Sequence, residues 1–308
     1  MEVLSLVANP TADCYLDQVA ALEELGVEVT TLSPPGREDE TVGASRSPAD
    51  YLRFYPTVLS HSLSGYDLVH AHYGLTAPAA VAQPARPVVI TLWGSDLFGR
   101  FGPLSRWCAR RADATVVMSK GMAEALGSPA HVIPFGVDLE LFEPRSRSAA
   151  LDAVGWTPGA KHVLFPYPPN REVKDYPRAR RVVEAARARV AEPVELHTLS
   201  GEPHDRMPEF MNAADALLMT SVHEGSPNTV KEAMACNTPV VSTDVGDVAE
   251  RLAGVEPSVA SDDDADLVDV LVAAFREGTS NGREAVRDES TRQSARQVYR
   301  LYGALLDD

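Results

Sequence analysis

Cysteine, lysine and long apolar runs are all scarce in this chain of 308 residues, and each shortage excludes something. Cys14, Cys108 and Cys236 are odd in number and far apart, with no metal-ligand spacing. That argues against a disulfide framework and for reduced thiols in a reducing compartment. No apolar run approaches the ~20 residues of a membrane span, and Met1-Glu2-Val3-Leu4 opens into a strand-like segment rather than a signal peptide, so a cytoplasmic protein is expected. Lysine appears only at Lys120, Lys161, Lys174 and Lys231, while acidic residues number 44 against 28 cationic ones. The formal charge of −16 excludes nucleic-acid binding over a broad surface, which needs basic patches. A composition poor in Lys and rich in Asp, Glu, Arg and Ala fits a salt-loving organism, and equally a GC-rich genome with an acidic surface.

The length suits two medium domains, and apolar content of 44% is ordinary for a globular chain. Residues 3–8 and 27–32 predict strands around a helix over 13–25 that stops at Gly26, a β-α-β opening. Its first turn, Asn9 to Asp13, has no glycine and so is no dinucleotide-binding fingerprint. A polar loop over 33–48 precedes a helix over 49–60, and strands follow over 67–71, 87–92 and 114–118. His70 and His72 share a strand face and have the chemistry of metal ligands, but no third ligand is near in sequence, so no metal site is expected. Residues 100–111, RFGPLSRWCARR, are basic and aromatic within an acidic protein. They suit a helix that packs Leu104, Trp107 and Cys108 inward with its arginines solvated, or peripheral contact with anionic lipid at the inner face of a membrane.

The polar stretch 143–161 is the expected domain boundary, dividing 1–142, completed by a closing helix over 283–308, from 143–282. Strands at 162–165, 194–199 and 216–221 and a helix over 177–191 continue the alternation. Asp262-Asp263-Asp264 precedes an apolar helical pattern and reads as helix-start charge rather than as a metal-binding pair of acids.

Chemistry concentrates in His223 to Asn237, HEGSPNTVKEAMACN, between two apolar runs. Ser226 suits an N-cap, Pro227 a first helical position, and Asn237 with Pro239 a stop. A helix that starts near the carboxyl end of a strand offers free N–H groups to phosphate or sugar hydroxyls. Gly225 permits close backbone approach. Asn228 and Glu232 share a helix face, and Glu232 leans back over the turn. Its carboxylate can hold vicinal hydroxyls, as can Glu224 nearer the tip.

The Glu-x7-Glu spacing and its wider form, HEGSPNTVKEAMACNTPVVSTDVGDV, resemble the retaining family 4 (group 1) glycosyltransferases, in particular the branch that builds cell-surface and extracellular polysaccharides. The resemblance implies the GT-B fold: α/β, two doubly wound Rossmann-like domains facing across a cleft, the first on the acceptor side and the second binding the nucleotide sugar. It implies Lys174, with Arg171 in place of the usual arginine, as holders of the donor diphosphate. Glu232 would bind the ribose, Glu224 the sugar, and the backbone from Gly225 through Ser226, Pro227 and Asn228 to Thr229 the phosphates. On the first domain it implies His72 and Asp96 as cleft residues, with Trp93 standing where the family often has histidine. His131 to Asp138 resembles the family's crossing between domains, with Phe135 in the place of asparagine.

The activity so implied is transfer of a sugar from a nucleoside-diphosphate sugar, a co-substrate, to a hydroxyl of a glycan or lipid-linked acceptor. Configuration would be retained, and neither metal nor further cofactor is required. Trp93, the glycine-free first turn and a short first domain also fit a non-catalytic nucleotide-sugar-binding or partner protein. An epimerase or phosphorylase on the same fold is the remaining alternative.

Overall fold

The computed structural model describes residues 1–36 and 46–307, so that 37–45 of the expected polar loop lie outside the described residues. The chain divides into two units, one comprising Met1–Gly136 with the segment from Thr291 onward, the other Val137–Ser290.

In the first unit the order is β1 (Glu2–Val7), α1 (Asp13–Glu23), β2 (Glu28–Leu32), α2 (Pro48–Ser62), β3 (Leu68–His72), α3 (Ala77–Ala82) and β4 (Val88–Leu92). It continues through α4 (Ser95–Phe98), α5 (Gly102–Ala109), β5 (Ala114–Val117), α6 (Lys120–Leu126) and β6 (His131–Val132). The strands form one parallel sheet in the order β2-β1-β3-β4-β5-β6. Every residue of β3, β4 and β5 is buried, as befits strands covered on both faces, whereas edge strand β6 is exposed.

The second unit runs α7 (Arg147–Val154), β7 (Lys161–Phe165), α8 (Tyr176–Arg187), β8 (Val194–Thr198), α9 (Met207–Ala213), β9 (Ala216–Met219) and α10 (Asn228–Ala235). Then come β10 (Val240–Ser242), α11 (Val248–Arg251), β11 (Val259–Ala260), α12 (Asp264–Glu277) and α13 (Gly282–Val286). Its sheet, also parallel, has the order β11-β10-β9-β7-β8. The acid run does start a helix: Asp263 accepts from Ala265 N at 2.8 Å at the head of α12.

A last helix, α14 (Thr291–Asp307), returns to the first unit, where Ala295, Val298 and Tyr302 join the core. The closing helix expected over 283–308 is therefore two helices. Between them Val137 N donates to the Glu289 carbonyl at 3.0 Å and Val137 pairs with Ser290, so the two crossing segments run side by side. The units divide at Gly136/Val137 and Ser290/Thr291 rather than at 142/143 and 282/283. Phe142 is buried in the second unit's core, and Arg283 donates to the carbonyls of Phe142 and Leu139 at 2.6 and 2.8 Å.

In each sheet the chain steps one way from the central strand and then reverses. The reversal falls between β1 and β3 in the first unit and between β7 and β9 in the second. Loops that leave the carboxyl ends of strands at such a point diverge, and the crevice between them is where doubly wound sheets take ligands.

Candidate active site

At the reversal point of the second unit, the loop after β7 meets the loop after β9. Thr220 Oγ1 donates to the carbonyls of Lys174 and Asp175, both at 2.9 Å, and Val222 N donates to the Val173 carbonyl at 2.8 Å. Asp175, at φ +45°, turns the chain into α8 and caps it by accepting from Arg178 N. Lys174 is thereby held almost wholly buried at a loop that sequence pattern alone leaves irregular.

Its Nζ donates to Glu224 Oε1 at 2.5 Å and stands 3.7 Å from the centroid of the Tyr167 ring. Burial opposes the charge on Lys174, yet Tyr167 and Glu224 outweigh it and raise the pKa above the ordinary value, so the ammonium stays charged. Arg171 lies exposed one short turn earlier. A buried, permanently charged lysine and a carboxylate with 17% of its side chain exposed thus stand together where α10 begins.

That helix begins one residue later than its sequence predicts. Pro227 occupies the N-cap position and Asn228 the first turn, so Ser226 does not cap the helix. Instead its hydroxyl accepts from Arg251 Nη2 at 3.2 Å. The buried Oδ1 of Asn228 and the Ser221 hydroxyl have no hydrogen-bond partner among the described residues. Thr229 accepts from the Tyr167 hydroxyl at 3.2 Å. The turn itself is pressed against Gly246: at φ +63°, an added Cβ there would lie 2.6 Å from the Gly225 carbonyl oxygen. Asn237, at φ +58°, closes the helix in the left-handed region as expected.

Glu232 is buried on the same helix, and His204 Nε2 lies 3.0 Å from its Oε1. Nothing in the sequence singles out His204, because the contact depends on where the loop after β8 folds back. Lys231 and Arg251 were equally illegible. Arg251 pairs with Asp247 at 2.7 Å and also with Glu289, while Lys231 is fully buried and pushed down to about 8 by burial, with Arg251 acting in the same direction.

At the first unit's reversal point, His72 ends β3. Its ring lies 3.9 Å from that of His70 and meets Tyr15 edge-on, and its buried Nδ1 has no hydrogen-bond partner among the described residues. Burial pushes its pKa down to about 3, so the imidazole is neutral. His70 spends one ring nitrogen on Tyr302 at 2.5 Å and the other on Thr91 at 2.7 Å. The two histidines are therefore a packed pair, with His70 leaving no nitrogen for a metal.

Asp96 is buried too, and its carboxylate accepts from the backbone N–H groups of Trp93, Gly94 and Gly74 at 2.8–3.1 Å. It shapes the turn that presents Trp93, and its acceptor capacity is spent on that turn. Trp93 packs edge-on against Phe135 and Tyr73, and its indole N–H has no hydrogen-bond partner among the described residues. On α5 only Cys108 of the three expected inward side chains is buried. Leu104 and Trp107 are 38% and 43% exposed, with Arg111 stacked on the Trp107 ring at 3.8 Å.

Two parallel doubly wound sheets with their ligand loops at the reversal points define a GT-B protein. Sucrose-phosphate synthase from Thermosynechococcus elongatus superposes with a TM-score of 0.78 at 17% identity, over 100% of both chains. Anabaena Alr3699/HepE in complex with UDP superposes with a TM-score of 0.73 at 16% identity, over 99% of this chain and 100% of that one. Residues 174–277 match the family described as glycosyl transferases group 1, and residues 14–141 match glycosyltransferase family 4.

The chain belongs to the family 4, group 1 glycosyltransferases. TuaC of Bacillus subtilis strain 168, assigned to teichuronic acid biosynthesis, is 28% identical over 212 residues, 59% of this chain. That alignment spans 54% of TuaC, about half its length.

Proposed function

We propose that this protein transfers a sugar, with retention, from a nucleoside-diphosphate sugar to a hydroxyl of a glycan or lipid-linked acceptor. The observation that carries the proposal is the Lys174–Glu224 pair, 2.5 Å apart beside the start of α10. When the glycosidic bond breaks, charge grows on the departing diphosphate. A charged lysine fixed in place by Thr220 and Tyr167, Arg171, and the N–H groups of Ser226, Asn228 and Thr229 stabilise it without reorganising, so no metal is required. Gly225 and Pro227 keep the approach to those groups free of bulk.

Glu232 binds the ribose hydroxyls, displacing His204, which otherwise keeps the carboxylate oriented. Glu224 holds sugar hydroxyls, and the departing phosphate takes the acceptor's proton on the same face. In the first unit, taken by itself, the crevice at the sheet's reversal point offers the neutral imidazole of His72 and the indole N–H of Trp93, the latter a hydrogen-bond donor with no partner among the described residues. Asp96 holds that turn rather than the donor. UDP, present in HepE, is the donor nucleotide to try first.

A lipid-linked acceptor is supported by an apolar cavity of about 480 Å³ in the first unit, lined by Tyr51, Leu52, Phe54, Leu75, Phe101 and Leu104 among others. Exposed Phe98 and Trp107 and the arginines of 100–111 lie in the same part of the chain, which suits peripheral contact with an anionic membrane surface. No helix among the described residues is long and apolar enough to cross a membrane.

Release of nucleoside diphosphate from a panel of sugar nucleotides, with and without glycan and lipid-phosphate acceptors, tests the proposal. Acceptor-dependent release from one donor is expected, and Lys174→Met should lower it by roughly 100- to 1,000-fold, the worth of one preorganised charge. No release with any donor, or full activity in the variant, overturns it.

A further inference from the structure

A second cluster of chemistry lies outside the residues just described. His162 on β7 is in register with Glu195 on β8, and Leu164 with His197. Glu195 and His197 are alternate residues of one strand and so share a face. His162 Nδ1 lies 2.9 Å from His197 Nε2 and 3.7 Å from Glu195 Oε2, and the last pair are 3.5 Å apart. Ligand atoms of a tetrahedral zinc ion at ~2.0–2.1 Å stand roughly 3.3–3.4 Å from one another, a spacing that this triangle brackets.

The ring nitrogens are also correctly disposed. His162 Nε2 lies 3.0 Å from the Thr157 carbonyl oxygen, which can only accept, so Nε2 carries the proton and Nδ1 turns its lone pair into the triangle. An outer nitrogen tied to a carbonyl is what orients a ligating imidazole. Trp156 stacks on His197 at 3.7 Å and 11°, fixing the plane of the second ring. The His162 side chain is fully buried, while that of Glu195 is 39% exposed, which gives the triangle a rigid floor and an open side.

We propose that His162, Glu195 and His197 bind one divalent transition-metal ion of the zinc class, with the fourth position open to water. Two imidazoles and one carboxylate favour zinc, cobalt or nickel over magnesium or calcium. When the ion binds, His197 gives up its Nε2 hydrogen bond to His162. The Nε2 proton transfers to Nδ1 of the same ring, so that binding releases no net proton. The ion clamps edge strand β8 to β7. It thereby braces the loop that leaves β8, the one carrying His204 to Glu232. The clamp is independent of the transfer reaction proposed above, in which no step passes through it.

Chelator-stripped full-length protein would be titrated with Zn²⁺ by calorimetry and with Co²⁺ by visible absorption, alongside Glu195→Gln and His197→Gln. One equivalent of Zn²⁺ is expected, with the intense visible bands of low-coordinate Co²⁺ and affinity lowered roughly 10-fold or more in each variant. Millimolar Mg²⁺ should not compete. No saturable binding to the stripped protein overturns the site, as does binding equal to wild type in Glu195→Gln. That variant alters a half-exposed carboxylate and retains the fold, so it decides the matter even if His197→Gln does not fold.

Discussion

His72 and its neighbour are among the most heavily desolvated titratable groups in the first unit, and that has a sign. An unfolded histidine titrates near 6.5, whereas burial holds His72 at about 3 and also drives His70 well below its ordinary value. Between those values the unfolded chain binds more protons than the folded one. Stability therefore rises with pH across that window and is lost as pH falls through it, by about 1.4 kcal/mol per pH step for each proton taken up. Denaturant titrations between pH 6.5 and 4 should show this fall, and His72→Asn should flatten it by the uptake of close to one proton. An unchanged slope would mean that His72 is as solvated as a free imidazole. Glu224 and Glu232 were legible because their motif is local, a spacing along one helix and the turn before it, whereas Lys174, fifty residues earlier on the loop after β7, was legible only through the family resemblance. Tyr167, His204, Lys231 and Arg251 were not, since each acts through a contact between segments distant in sequence. The burial of His72 was hidden for the same reason, because Tyr15 closes over it from a distant position in the sequence.

At the scale of elements, the turn between β9 and α10 is shaped by what lies behind it. Gly246 presses its backbone on Gly225, and Arg251 reaches from α11 to Ser226. Gly246→Ala puts a methyl group 2.6 Å from a carbonyl oxygen at a φ of +63°, so the Glu224–Ser226 turn has to move. A loss of about 1–3 kcal/mol in stability is expected. The Michaelis constant for the donor should rise more than turnover falls, and unchanged donor affinity in a folded variant would show that the turn does not depend on this contact. Most strands and helices were readable to within a few residues because the core strands are predominantly apolar and the helices carry clear stops. The break between α13 and α14 was not readable. It is imposed by the pairing of Ser290 with Val137, a register that no local pattern encodes. The one-residue displacement of the α10 start has a similar origin, with Arg251 drawing Ser226 away from the helix.

For the molecule as a whole, self-repulsion follows from a net charge of −16. Salt screens such repulsion, with a Debye length that shrinks from ~10 Å at 0.1 M to ~3 Å at 1 M. Melting temperature should therefore climb between 0.1 M and molar KCl, and continue to climb in the molar range if the acidic surface is adapted to salt. A plateau near 0.1 M would leave only the GC-rich composition as the explanation. Strand alternation in both halves made the two doubly wound sheets legible. The strand at which each sheet reverses was not, and it is the reversals that bring Lys174 to Glu224 and place His72 at a crevice.

The return of α14 to the first unit bears on how the chain is made. As it emerges from a ribosome, the second unit is one unbroken stretch and can fold once Ser290 is out. The first unit, although translated earlier, must wait for Tyr302 to reach His70 and for Ala295 and Val298 to cover its core. The half that is synthesised first is thus completed last, and a nascent chain stalled before Thr291 would hold that apolar face open to chaperones.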